Sequence, residues 1–388
     1  MKDRNPLTTL ALGLLPLVLL GLMIGLILRQ GPAKLFTEDI PPVEDIHVLQ
    51  HLLGEDVIHL DIVNSGADPT TVAQVMVRGA FWQHTVTPDR TLNPLQTARV
   101  TIHYPWVDGE PYQIVLYTRS GLTFEYEIEV ALTTPLPDAK ALLRFGMLGV
   151  YVGVIPVALG ICWFPFLRRI GTGGLSFFLN LTVGLLVFLV VDTVEEGLKV
   201  AVELPEVYNG VGLFLLGLAG TYLILMGVNS WARARPSGID AGVVIAWLTA
   251  LGIGLHNLGE GLAIGSAYVL GELSLGAMLI LGFTLHNSTE GIAIVAPILE
   301  KGAAVKRLIG LGLLAGSPTI LGCWIGAFTY SQIWALLFLG IGAGALLQVI
   351  VVIAGRKKPS EILAPANLAG LLIGYLIMYG TGFLVGAA

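Results

Sequence analysis

Two stretches decide the reading of this chain: LGIGLHNLGEGLAIG at residues 251–265 and LGFTLHNSTEGIAI at residues 281–294. Aligned on their histidines, residues 251–264 and 281–294 are identical at nine of fourteen positions, including the pattern H-N-x-x-E-G. Each lies in an apolar run long enough to cross a bilayer as a helix. An ionisable side chain in hydrocarbon costs several kcal/mol and marks a functional position by default. In each stretch His and Glu stand four residues apart, so imidazole and carboxylate share one helix face a turn apart. Repetition on consecutive, hence antiparallel, spans implies a pseudo-two-fold axis in the membrane plane.

With that spacing, His256, Glu260, His286 and Glu290 can converge as two nitrogen and two oxygen donors. This donor set suits Zn²⁺ and also Fe²⁺ or Mn²⁺. Asn257 and Asn287 offer neutral oxygens beside it, and Ser288 and Thr289 can line the same cavity. The Gly after each Glu predicts close approach of the partner motif helix. Duplication at matching depth disfavours the alternative, in which these residues only bridge two helices.

The rest of the chain agrees with a membrane setting. Of 388 residues 55% are hydrophobic and only 12% charged, with a mean hydropathy of +0.80. Soluble proteins carry about 25% charged residues. Residues 31–140 hold 15 acidic and 6 basic side chains, so the net charge of −6 divides into −9 there and +3 elsewhere. An ordinary soluble enzyme, a nucleic-acid binder and a disordered scaffold are thereby excluded. Cys162 and Cys323 both fall in apolar segments, leaving no disulfide framework or CxxC metal motif.

Nine apolar segments stand out, at about 7–29, 145–167, 173–194, 209–230, 241–268, 274–299, 306–328, 333–354 and 367–386. The first reads as an uncleaved anchor rather than a signal peptide, because the run from Pro6 to Leu28 exceeds a usual h-region and lacks an A-x-A site. Arg168 and Arg169; Arg233 and Arg235; Lys301, Lys306 and Arg307; and Arg356, Lys357 and Lys358 fall in alternate loops. The intervening loops carry Lys199 among Glu195, Glu196, Glu203, Glu206 and Glu272. The positive-inside rule then places the amino terminus, with Lys2 and Arg4, in the cytoplasm and the carboxyl terminus outside. The expected organisation is an anchor over 1–32, an extracytoplasmic domain over 33–140 and a helical membrane domain over 141–388.

The outer insert has a different texture. VIHLDIV (57–63), TVAQVMV (71–77), ARVTIHY (98–104), YQIVLYT (112–118) and FEYEIEVAL (124–132) alternate or are rich in β-branched and aromatic residues. NSGADP, TPDRTLNP, DGEP and SGL separate them as turns. Short strands at this spacing predict a small antiparallel β-sandwich of immunoglobulin type, without the Cys–Trp–Cys pattern.

On its paired HNxxEG motifs, the region of about 141–388 resembles the ZIP family of divalent metal transporters. The resemblance implies eight helices in a three-plus-two-plus-three inverted repeat, making nine spans with the anchor. It implies transport of a divalent metal toward the cytoplasm, with His256, Asn257 and Glu260 as ligands from one helix and His286 and Glu290 from the next. Three features depart from the family pattern. Gly259 and Thr289 stand where Pro usually precedes each motif Glu; Asn287 replaces an acid; and Ser317–Pro318 stands where many members have Glu-Pro. The last two remove anionic ligands from a second metal position, so one well-formed site is expected, with a weak or absent second one near Ser317.

Asp192, Glu195 and Glu196 end the third span, where acids can concentrate cations before entry. Gln348 reads as a helix-packing group. His47, His51 and His59 of the insert read as solvated or packing residues. The transported substrate is expected to be Zn²⁺, with Fe²⁺, Mn²⁺ and Cd²⁺ left open. An intramembrane metalloenzyme and a metal sensor are the alternatives; the first has no HExxH motif, the second no cytoplasmic module. Expected partners are the divalent ion and the lipid bilayer, with no nucleic acid. A homodimer and an unidentified partner of the outer domain remain open. The expected location is a plasma membrane, the inner membrane of a prokaryote.

Overall fold

A computed structural model of the chain describes residues 6–30, 44–234, 241–270, 273–299, 302–328, 331–355 and 364–386. Lys2, Arg4, Arg235, Glu272, Lys301, Arg356, Lys357 and Lys358, used above for orientation, lie outside the described residues. The chain forms two units, Met1–Glu44 and Asp45–Ala388. In the first, helix α1 runs from Pro6 to Gln30, and its residues 14–26 are exposed and apolar.

The second unit begins with nine strands: β1 Ile46–Gly54, β2 Val57–Asn64, β3 Thr70–Val77, β4 Ala80–Trp82, β5 His84–Thr87, β6 Thr91–Leu92, β7 Thr97–His103, β8 Tyr112–Thr118 and β9 Thr123–Ile128. They form two antiparallel sheets, ordered β1-β2-β7-β5 and β4-β3-β8-β9, with β6 added to β3. Alternation explains the assembly: Ile58, Leu60 and Ile62 of β2 are fully buried, as are Ile114 and Leu116 of β8. These side chains form one core between the sheets. The five strands expected from alternation are all present, the last ending at Ile128. The sequence reading missed the short β4, β5 and β6 and also β1, whose pattern is broken by a bulge between Val48 and Gln50.

The helical part follows. The first span combines α2 Ala139–Gly149, a π turn at Val150–Val154, α3 Ile155–Ile161 and α4 Phe164–Leu167. Asp138 caps α2 by accepting a 2.7 Å hydrogen bond from the Ala141 amide. Then come α5 Thr172–Glu203, α6 Gly210–Ala234, α7 Ala241–Val269, α8 Leu273–Val295, α9 Val305–Gly316, α10 Pro318–Phe328, α11 Gln332–Ala354 and α12 Pro365–Gly386. Among the described residues, seven helical stretches are long and apolar enough to span a membrane. Two shorter apolar helical stretches, Leu14–Leu26 and Pro365–Gly380, accompany them.

Small residues set the helix pairing. Gly184 of α5 and Gly374 of α12 meet each other's helix backbone, near Leu371 and Leu181 respectively. Gly217 of α6 lies against Leu337 of α11, and Gly340 and Gly344 of α11 against Phe214 and Leu218 of α6. At such distances a Cβ would collide with backbone, which is how Gly permits close helix contact without a hydrophobic driving force. Helices α7 and α8 run antiparallel through this framework.

Candidate metal centre

Helices α7 and α8 place the two motifs side by side. His256 and Glu260 project from one face of α7 and His286 from the facing side of α8, all buried. One ligand atom from each lies within 4.8 Å of the others, close enough for a single ion to touch all three. The Glu260 carboxylate is the hub. Its Oε1 contacts His286 Nε2 and lies 3.1 Å from His256 Nε2, the latter without hydrogen-bond alignment. The two imidazole rings stand 6.3 Å apart, and Phe283 packs on His286 with centroids 5.3 Å apart.

The asparagines are cross-linked to the opposite motif. Asn257 Nδ2 of α7 donates to Glu290 Oε2 at 3.2 Å and to the Ala315 carbonyl at 3.1 Å. Asn287 Nδ2 of α8 donates to Glu260 Oε2 and to the Val152 carbonyl, both at 3.1 Å. Both carbonyls sit at helix breaks. Val152 lies in the π turn, four residues before Pro156, which has no N–H to return a helical bond. Ala315 lies in the last turn of α9, just before the Ser317–Pro318 break. Pro156 and Pro318 were visible in the sequence; that their breaks would supply acceptors to the motif asparagines was not.

With the Nδ2 groups so engaged, Asn257 Oδ1, Asn287 Oδ1 and Glu290 Oε1 are buried without a hydrogen-bond partner. An orphaned buried acceptor costs about 1–3 kcal/mol, so three at one place form a ready set of oxygen donors. Glu290 accepts from Asn257 and is not one of the three close residues.

The motif glycines do allow close packing, but not between the two motif helices. Gly261 lies against Thr319 and Cys323 of α10, and Gly291 against Val157 and Ile161 of α3. Gly322 and Gly160 return these contacts from α10 and α3. The two broken spans also touch, where Gly316 lies against Gly153 and Val154.

A cavity of about 600 Å³ runs from His256, Glu260 and His286 to the helix ends at Glu203, Leu270 and Gln332. Asp192 and Glu196 line it, whereas Glu195 does not; it forms an exposed 3.0 Å ion pair with Lys199. Ser317 lies off this cavity and bonds the Leu313 carbonyl at 2.6 Å. Gln348 is fully buried, with neither amide atom hydrogen-bonded. On the other side of the motifs, Ala246, Ala250 and Ile253 of α7 pack with Ile294, Leu311, Leu346 and Val349 into an apolar core. The sequence reading missed Glu203, Gln332 and Phe283 as cavity residues, since only the fold brings three loops to one mouth.

Residues 233–382 match the family model described as ZIP Zinc transporter. Zinc transporter ZIP6 of Homo sapiens is 32% identical over 162 residues, covering 41% of this chain and 21% of that protein. Zinc transporter ZIP6 of Pongo abelii is 31% identical over the same length and shares. The chain thus spans about a fifth of the length of the curated relatives it matches. The match contains both motifs, α7 and α8, and most of the helices packed on them, so residues 233–382 are similar to the ZIP zinc transporter family.

Proposed function

We propose that this protein carries a divalent transition metal, zinc first, across a plasma membrane toward the cytoplasm. The observation that carries the reading is a buried His256–Glu260–His286 group at one end of a cavity lined by Asp192, Glu196 and Glu203 with Lys199. The ion sheds water and takes up these three residues, with Glu290 and the Asn257 and Asn287 oxygens completing its shell. Two nitrogens and several oxygens fit zinc and do not exclude Fe²⁺, Mn²⁺ or Cd²⁺. Bound ligands are deprotonated, so metal entry releases protons that Glu260 and Glu290 can exchange. Asp192 and Glu196 attract the ion on the way in, and Ser317 supplies no strong second site.

The cross-paired asparagines, the matched breaks in the first and sixth helical-domain spans and the reciprocal glycine contacts support an inverted repeat of three-plus-two-plus-three helices. Alternating access about the motif pair follows from such a repeat. The sheet order of 46–128 supports an immunoglobulin-like sandwich. We assign 1–32 as an anchor with a cytoplasmic amino terminus, 33–140 as the extracytoplasmic domain and 141–388 as the transport domain. In proteoliposomes the full chain is expected to give saturable zinc uptake, with Mn²⁺, Fe²⁺ and Cd²⁺ as competitors that rank the selectivity. A chain that binds zinc but never admits it to the lumen contradicts the reading.

A further inference from the structure

The apolar core on the far side of the motifs holds three polar side chains that the metal group does not use. Thr182 of α5, Thr249 of α7 and Gln348 of α11 are each 0% exposed. Both hydroxyls and both amide atoms of Gln348 are without a hydrogen-bond partner among the described residues. Gln348, expected to bond a neighbouring helix, makes no such bond. Their chain neighbours Leu181, Val183, Ala250 and Val349 all belong to one hydrophobic core. Burying an unpaired hydroxyl or amide is costly, so four such atoms in one core weaken it as a permanent seal.

Helix geometry sets these residues in line with the site. Thr249 stands seven residues before His256, two turns or about 10 Å along the same face of α7. Thr182 stands eleven residues, three turns, before Thr193, which lines the cavity with Asp192 and Glu196. Gly342 of α11 lies against His256, and Ala345 and Val349 lie against Gly252. The two helices therefore run in opposite directions, and Gln348 falls at the level of Thr249. Polar groups thus continue past the site on three helices that also wall the cavity.

Resting on the transport reading, we propose that Thr249, Thr182 and Gln348 mark the closed inner half of the ion path, between α5, α7 and α11. In the arrangement described, the cavity reaches the metal group from the mouth, and aliphatic packing shuts the other side. When that side opens, water enters and the four orphaned atoms gain partners, which offsets part of the cost of opening. Their oxygens are neutral, so they give a departing divalent ion weak contacts in place of water and do not hold it as a carboxylate would.

The test replaces each threonine by its apolar isostere and measures zinc uptake by the full chain in proteoliposomes. Thr249→Val and Thr182→Val are each expected to lower Vmax about fivefold or more, with zinc still bound and the unfolding temperature unchanged or higher. Thr249→Ser keeps the hydroxyl and is expected to retain most of the parent's rate. Thr319→Val is the control, because its hydroxyl is equally buried and unpaired but lies in α10 against Gly153 of the first span. Its uptake is expected to follow the parent's. Valine variants that transport at the parent's rate, an equal fall in Thr319→Val, or a fall in Thr249→Ser as large as in Thr249→Val overturns the proposal. If the parent shows no uptake, the transport reading fails and this proposal with it; if the parent transports and the valine variants match it, only the inner path is lost.

Discussion

Asn257 and Asn287 do two jobs with one amide each. Their Nδ2 groups tie each motif to the other's glutamate and to a helix-break carbonyl, while their buried Oδ1 atoms stay unpaired. Asn257→Ala removes two buried hydrogen bonds and leaves Glu290 and Ala315 without a donor. A loss of about 1–3 kcal/mol is expected, measured as a lower unfolding temperature of the full chain in detergent, together with weaker zinc binding. Unchanged stability and affinity would show that the cross-links are incidental. In the β-domain, burial lowers the pKa of His51 from 6.5 to about 4, and burial lowers those of His59 and His84 too. A histidine with a depressed folded pKa stabilises the fold above its unfolded pKa and loses that contribution as pH falls toward the folded value. For His51 the loss is on the order of 3 kcal/mol between about pH 6.5 and pH 4. Hydrogen exchange of β1 and β9 amides, corrected for intrinsic rates, is expected to quicken over this window and to do so less in His51→Gln. A flat profile contradicts it.

At the scale of elements, glycine position in α7 separates packing from path. A Cβ on Gly261 collides with the α10 backbone at Thr319, whereas one on Gly259 meets nothing nearer than 3.9 Å, at Leu339. Gly261→Ala is expected to destabilise by about 1–3 kcal/mol, because backbone cannot step aside as a side chain can. Gly259→Ala, two residues away, is expected to be neutral or stabilising by up to about 1 kcal/mol. Thermal unfolding of the two variants decides this, and equal effects would refute the packing account. This contrast also marks the limit of what the sequence could tell. HNxxEG repeated thirty residues apart identifies the helix pair and its ionisable face, because spacing four is a property of the helix itself. That each motif glycine serves α10 or α3, rather than the other motif helix, depends on how spans pack, and no local pattern encodes it. Strand β1 shows the same limit: its bulge breaks the period-two pattern.

At the scale of the whole molecule, the arrangement is a polar gradient across an apolar barrier. Acidic walls lead inward through Glu196 and Asp192 to a buried nitrogen–oxygen site, beyond which the spans pack as hydrocarbon. The acidity of the insert was legible from residue placement alone, whereas of the nine apolar segments seven are long apolar helical stretches among the described residues and two are shorter. The cavity mouth at Glu203, Leu270 and Gln332 was not legible, because its three residues are distant in sequence and meet only when α5, α7 and α11 end at one level. The central claim is that metal crosses through the His256–Glu260–His286 group. The most direct measurement is initial zinc uptake by the parent and by His256→Ala/His286→Ala in matched proteoliposomes, with bound metal counted on each purified protein. The double variant is expected to lose zinc uptake, because two of the three close residues are gone, and to lose its bound zinc. Uptake that continues at the parent's rate in the double variant would contradict it.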